Sequence, residues 1–399
     1  MKKSWLICCL INFFLAAMMG VLLRYAYVLP LEINYAFLLH GHSHTAMLGW
    51  VYLMLYALIF HDFIPKTPAT IKRYNRLFWI TQFSIIGMIL SFPLQGYAVV
   101  SIGFSTLHIF CSYYFCYRVW QDDKSIATPE KKLLFTALFF MLFSTLGVWC
   151  LGPVAASGAK GNAFYHTVIQ FFIHFQFNGW FTFGVLAVFI KKLRVNNCNL
   201  NPIAFKWFLY PLVFATLLTF SLPLSWYFPY TILPWINGLG LILQGFSISA
   251  FYRLIRPHYS KLTTLFSRTT ATLYAFALIS LVLKITIQSM TLFPEIAAVS
   301  HEIRNFVIGF THLTSLGLIT GFLLAFVSDT LAFQTALSKA ALLLFLICFA
   351  ATEIILFTQG VLTYFEQGIF SHYHLLLLLA SIGLPLALAL LIGSLIKSQ

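Results

Sequence analysis

Three imidazoles occupy five positions in LLHGHSHTAMLGW (residues 38–50), at His40, His42 and His44, directly ahead of an apolar run. Neutral imidazole is the commonest protein metal ligand, and ionisable groups inside a membrane are costly enough to mark functional sites. Nine more histidines follow: His61, His108, His166, His174, His258, His301, His312, His372 and His374. Haem ligation, copper coordination and proton transfer are the chemistries such a set serves.

The elements that must position these side chains follow from composition. Residues are 60% hydrophobic and only 9% charged across 399 positions, where a soluble domain carries about a quarter charged residues. An all-α polytopic membrane protein is expected, with apolar spans near 5–28, 36–60, 77–96, 99–120, 133–156, 163–190, 204–227, 231–254, 269–291, 300–327, 338–362 and 370–396. With a cytoplasmic N-terminus, 20 of the 24 Lys and Arg fall in inner segments, and only Arg24, Lys160, Lys284 and Arg304 fall outside. That asymmetry predicts twelve helices with both ends cytoplasmic, in a bacterial inner membrane. The +14 net charge is then topology, and no nucleic-acid partner is needed. The start, MKKSWLICCLINFFLAAMMG, resembles a secretory leader but lacks a small-x-small cleavage site, so it is expected to be the first helix. The seven cysteines contain no C-x-x-C, which speaks against covalent haem attachment and a disulfide framework.

His61 and His258 fall in inner connections. The other ten histidines lie on spans two, four, six, ten and twelve, near their outer ends, and so form one layer in the outer half of the membrane. Within it a motif recurs: SHTAMLGW, IHFQFNGW and THLTSLGL each read His, four residues, Gly, then a bulky apolar residue. The members are His44 with Gly49, His174 with Gly179, and His312 with Gly317, separated by 130 and 138 residues. A weaker echo pairs Gln95–Gly96 with Gln359–Gly360. The chain is therefore expected to be a single membrane domain of three tandem four-helix units, 1–125, 126–262 and 263–399. Each unit turns a histidine inward from its second helix, and the glycine lets a flat group or another helix approach the backbone.

Inward histidines on helices two, six and ten of three four-helix units resemble subunit I of the haem-copper oxidases. The similarity is to the branch of C-type oxidases and nitric oxide reductases, and to the related twelve-helix haem-copper proteins of the nitric oxide response. It covers the whole chain as topology and only short motifs as sequence. It implies that His44 and His312 are the axial ligands of a haem b, with Gly49 and Gly317 beside the cofactor, and that His174 serves a copper site. Outward-facing haem propionates in that superfamily pair with cations, which implies Arg24 and Arg304. Two departures stand out: the family's catalytic-haem histidine two residues before the helix-ten ligand is Phe310 here, and span seven, WFLYPLVFATLLTFSLPLSWYF, has no histidine for copper. A standard oxygen-reducing centre is not implied.

Two positions along an α-helix turn by about 200°, so His42 and His44, and likewise His372 and His374, address opposite sides of their helices. His40 and His44 are about 40° apart and His301 and His312 about 20°, so each pair is expected to reach one pocket at two depths. A second metal, copper, would draw on His42, His174, His372, His374 or His108. His40, His166, His301 and Glu302 are expected at the mouth or in support of the ligands. Glu353, mid-span in ICFAATEIILFTQG, is a candidate proton-path carboxylate. Lys284 is expected to snorkel to the outer interface.

Three functions fit. The first is a haem or haem-copper oxidoreductase taking electrons from a quinol or cytochrome and acting on oxygen or nitric oxide. The second is a haem or copper sensor or assembly protein of nitrosative stress, without oxidase activity. The third is a proton-coupled secondary transporter; such proteins are commonly two related halves, whereas the repeat here divides the chain by three.

Overall fold

In hydrocarbon every backbone N–H and C=O must be satisfied within the segment, which leaves helix as the only form open to apolar runs of this length. The computed structural model describes residues 2–123, 128–329, 333 and 335–397, and of Thr263 the backbone alone. Among them every regular element is helical. Twelve helices are long and apolar enough to cross a membrane: α1 (Lys3–Tyr25), α2 (Tyr35–Phe63), α3 (Pro68–Gln95), α4 (Val99–Asp122), α5 (Pro129–Ala156), α6 (Ala163–Val195), α7 (Pro202–Ser225), α8 (Ile232–Leu262), α9 (Arg268–Leu292), α10 (Arg304–Asp329), α11 (Ala336–Tyr364) and α12 (Tyr373–Lys397). The chain is an all-α integral membrane protein, as its composition predicts. Lys124 and the expected repeat boundary at 125/126 lie outside the described residues.

Helix ends depart from the hydropathy pattern where caps decide them. Helix α3 starts nine residues before the predicted 77, because Thr67 caps it through Thr70 and Pro68 takes the first turn. Helices α10 and α12 start later than predicted, so His301 and His372 precede their helices. The angle expected between His301 and His312 therefore does not apply. His372 sits in a turn at φ 59°, in the left-handed region.

Two compact units emerge, one from the described residues of 1–124 and 323–399, the other from those of 125–322. In the first, α1 packs on α2 and α12, α11 on α12, and α3 on α2 and α4. In the second, α5 packs on α6, α7 on α8, and α9 on α8 and the first half of α10.

The histidine repeat has a structural counterpart. Helices α2, α6 and α10 are α-helical through His44, His174 and His312. They then become π-helical over Thr45–Tyr52, Phe175–Phe181 and Leu313–Ile319 before returning to α. Pi segments are rare and concentrate at functional sites; here three begin on the residue after the repeat histidine. Against each packs the first helix of the same repeat: α1, α5 and α9.

Glycine has its use at this contact. A Cβ on Gly49 would stand 3.1 Å from Asn12 Cβ and 3.1 Å from Ile85, and one on Gly179 would stand 2.5 Å from Phe140 Cβ. At Gly49 and Gly179 the glycine admits the neighbouring helix. Asn12 also donates to the Gly49 carbonyl (2.9 Å) and exchanges amide hydrogen bonds with Gln82 (2.8 and 3.1 Å). In the second repeat Gln176 donates to Ser144 Oγ at 2.8 Å.

Candidate functional site

In the first unit, α2 is capped by Asn34, which accepts from the Phe37 amide, and presents His40 and His44 to the end of α3. Helix α3 ends at Gln95, and Gly96 at φ 61° turns the chain so that Tyr97 crosses both imidazoles. His40 meets the Tyr97 ring edge-on at 4.6 Å. His44 lies flat on Phe92 at 4.3 Å, and its Nε2 is 2.9 Å from the Tyr97 hydroxyl. His40 and His44 thus both meet the Tyr97 ring. Neither Phe92 nor Tyr97 was indicated by histidine spacing; the Gln95–Gly96 pair was the only sequence signal near them. The echo at Gln359–Gly360 is not equivalent, since Gln359 lies inside α11 and clamps the following turn through the Gly368 carbonyl and Phe370 amide.

His44 Nδ1 is buried with no hydrogen-bond partner among the described residues, and so is His108 Nε2 on α4. Buried polar atoms ordinarily find partners. The two rings are close enough to interact electrostatically, and His108 packs edge-on against Tyr52 at 4.6 Å.

On the opposite side of α2, His42 Nδ1 donates to the Ala16 carbonyl of α1 at 2.8 Å, and its ring rests 3.0 Å from where a Cβ on Gly20 would be. The 200° rule thus holds for His42 and His44. Arg24, at the end of α1, is within electrostatic range of His42, His374 and Glu353. Glu353, only 8% exposed on α11, therefore has a cation near it that is 329 positions away in sequence. His374 stacks on Tyr27 at 5.1 Å. His372 is exposed in its turn.

In the second unit, His174 uses both ring nitrogens within the protein. Nε2 donates to the Thr216 carbonyl at 2.8 Å, and Nδ1 lies 3.4 Å from the Asn178 amide nitrogen. Nearby, Lys284 is 3% exposed and donates to Gln288 at 3.0 Å. It does not snorkel outward: it lines a cavity of about 20 Å³ with Asn178, Gln244, Thr216 and Thr219, room for a single water. Thr216 and Thr219 give their hydroxyl protons to Leu212 and Ala215 carbonyls, and the carbonyl oxygens of Asn178 and Gln244 have no partner among the described residues. The lining is therefore rich in acceptors, with Lys284 as its donor. His166 and His301 stack on the adjacent rings Tyr227 (5.4 Å) and Trp226 (4.7 Å). Glu302 and Arg304 are exposed, and His312 is half-buried where α10 becomes π-helical.

As a haem ligand, His44 fits in donor type: one ring nitrogen is uncommitted and the other is held only by a tyrosine hydroxyl. The copper set does not gather in the same way. His42 is tied to α1 and His174 to α7, and among the described residues no three His, Cys, Asp or Glu side chains converge as a metal requires. Comparison with protein-family models found no match, and comparison with curated proteins found none either.

Proposed function

We propose that this is a haem redox protein of the bacterial inner membrane, related to the haem-copper oxidases and nitric oxide reductases, with His44 and His312 as axial ligands of haem b. The observation that carries this reading is the junction of each repeat histidine with a π segment, on the second helix of all three repeats. A π turn shifts the register of the side chains on either side of it, and its recurrence beside histidine fits a functional role for each of these three positions. A haem held there by His44 and His312 would supply single-electron transfer.

The chain's own residues supply the positioning. Tyr97 and Phe92 fix the position and plane of the His44 ring, and Asn12 and Gln82 anchor the π segment that follows it. Of the two cations the resemblance implies for the propionates, Arg24 stands with His42, His374 and Glu353 rather than with His44, which leaves Arg304. His174 braces α6 against α7. A quinol or cytochrome is the proposed electron donor, and oxygen or nitric oxide the proposed gas. Phe310 and the histidine-free α7 favour electron transfer or sensing over oxygen reduction.

The test is the absorption spectrum of the detergent-purified protein, oxidised and dithionite-reduced, with metal analysis of the same sample. A sharp b-type α-band is expected, lost in His44→Ala and in His312→Ala and retained in His174→Ala. Stoichiometric copper would add gas chemistry to the proposal. A haem protein that reduces neither oxygen nor nitric oxide would be a sensor or assembly factor. A colourless protein from haem-replete cells would sink the haem reading and leave a transporter, with Glu353 and Lys284 as its buried ionisable groups.

A further inference from the structure

Where α1 begins, α2 ends and the connection to α3 runs, the first unit has a cavity of about 210 Å³. Its apolar wall is formed by Trp5, Ala57 and Phe60, all buried. Its rim carries Lys2, His61 and Lys66.

Both lysines are held in place. Lys66 donates to the carbonyls of Phe60 and Ile64, and its ammonium stands 4.2 Å over the Phe60 ring. Lys2 donates to Asn75 Oδ1 at 2.7 Å and stands 5.4 Å from the Trp5 ring. An ammonium has three N–H donors, so among the described residues Lys66 keeps one uncommitted and Lys2 keeps two. The carboxylate in range, Asp62, is engaged by His61 at 2.7 Å. Burial pulls Lys66 below the usual lysine range and Asp62 offsets this only in part, so its charge is under-compensated.

We propose that this cavity seats the phosphate headgroup of an anionic lipid, with the phosphate between Lys2 and Lys66 and the first apolar part of the lipid against Ile71, which also lines the cavity and is part-exposed, and the edge of Phe60. Free phosphate would answer the two ammonium groups but gain nothing from these apolar side chains. An amphiphile uses both. The site lies at the basic end of the helices, where anionic headgroups of the inner leaflet attract lysine.

Native mass spectrometry of the full-length protein, released from nanodiscs of phosphatidylglycerol and phosphatidylcholine, tests this. The wild type should retain one phosphatidylglycerol that Lys2→Gln and Lys66→Gln each lose by about fivefold, the factor that about 1 kcal/mol per lysine represents. Lys2→Arg and Lys66→Arg should retain it, and Lys261→Gln, on another inner segment, should not alter it. Phosphatidylcholine retention should be the same in all. Equal phosphatidylglycerol retention in the Gln variants would overturn the proposal, as would displacement of the lipid by excess inorganic phosphate, which would mark a free-anion site.

Discussion

His44 lies on Phe92 with ring centroids 4.3 Å apart and planes 8° from parallel, while Tyr97 closes over its Nε2. One imidazole is thus fixed in both plane and reach by two residues that bind no metal themselves. Groups that orient a ligand typically contribute 10- to 100-fold to cofactor affinity. Tyr97→Phe is therefore expected to keep the b-type absorption but to lose haem roughly tenfold faster to an apo-haem scavenger. His44→Ala should abolish the band. An unchanged rate of haem loss in Tyr97→Phe would remove Tyr97 from the site.

The close contacts at the π segments make graded steric predictions. Gly179→Ala places a methyl 2.5 Å from Phe140 Cβ, and Gly49→Ala places one 3.1 Å from Asn12 and Ile85. Overpacking costs about 1–3 kcal/mol, so both should lower the thermal midpoint in detergent, Gly179→Ala by more. Gly245→Ala, with nothing within 4 Å, should not lower it. The order of the three midpoints is the check.

Lys284 lies buried in the second unit with no carboxylate bonded to it among the described residues, and it donates to the Gln288 amide oxygen. Removing the ammonium relieves its desolvation, whereas removing its acceptor leaves it stranded. Lys284→Met should hold or raise the unfolding midpoint. Gln288→Leu should lower stability by about 2 kcal/mol. A large loss in Lys284→Met, exceeding that of Gln288→Leu, would show that the lysine stabilises the fold.

Charge asymmetry predicts sidedness. In a cysteine-free background, Lys160→Cys should react with an impermeant maleimide added to intact cells. Lys261→Cys should react only after the membrane is opened. The reverse pattern would invert the topology.

Helix type and number were legible because apolar runs in hydrocarbon admit one backbone solution. The opposed faces of His42 and His44 were legible because α-helical geometry is local and regular. Three other features were not. The π segments involve a change of pitch that hydropathy does not register, since the same residues stay apolar in either form. The task of Gly49, admitting α1, depends on which helix arrives. His301 and His372 lie just ahead of Arg304 and Tyr373, where α10 and α12 begin, and hydropathy does not resolve a helix start to within a few residues.

Composition, periodicity and spacing determined that this chain is a polytopic helical membrane protein with a thrice-repeated histidine on corresponding helices. These properties follow from each residue and its near neighbours. Tertiary structure alone decided that Arg24 stands near Glu353, that Tyr97 covers His44, and that Lys284 lines an acceptor-rich cavity with Gln244. Each of these joins side chains on separate helices, and no local rule of spacing carries the azimuth at which one helix meets another.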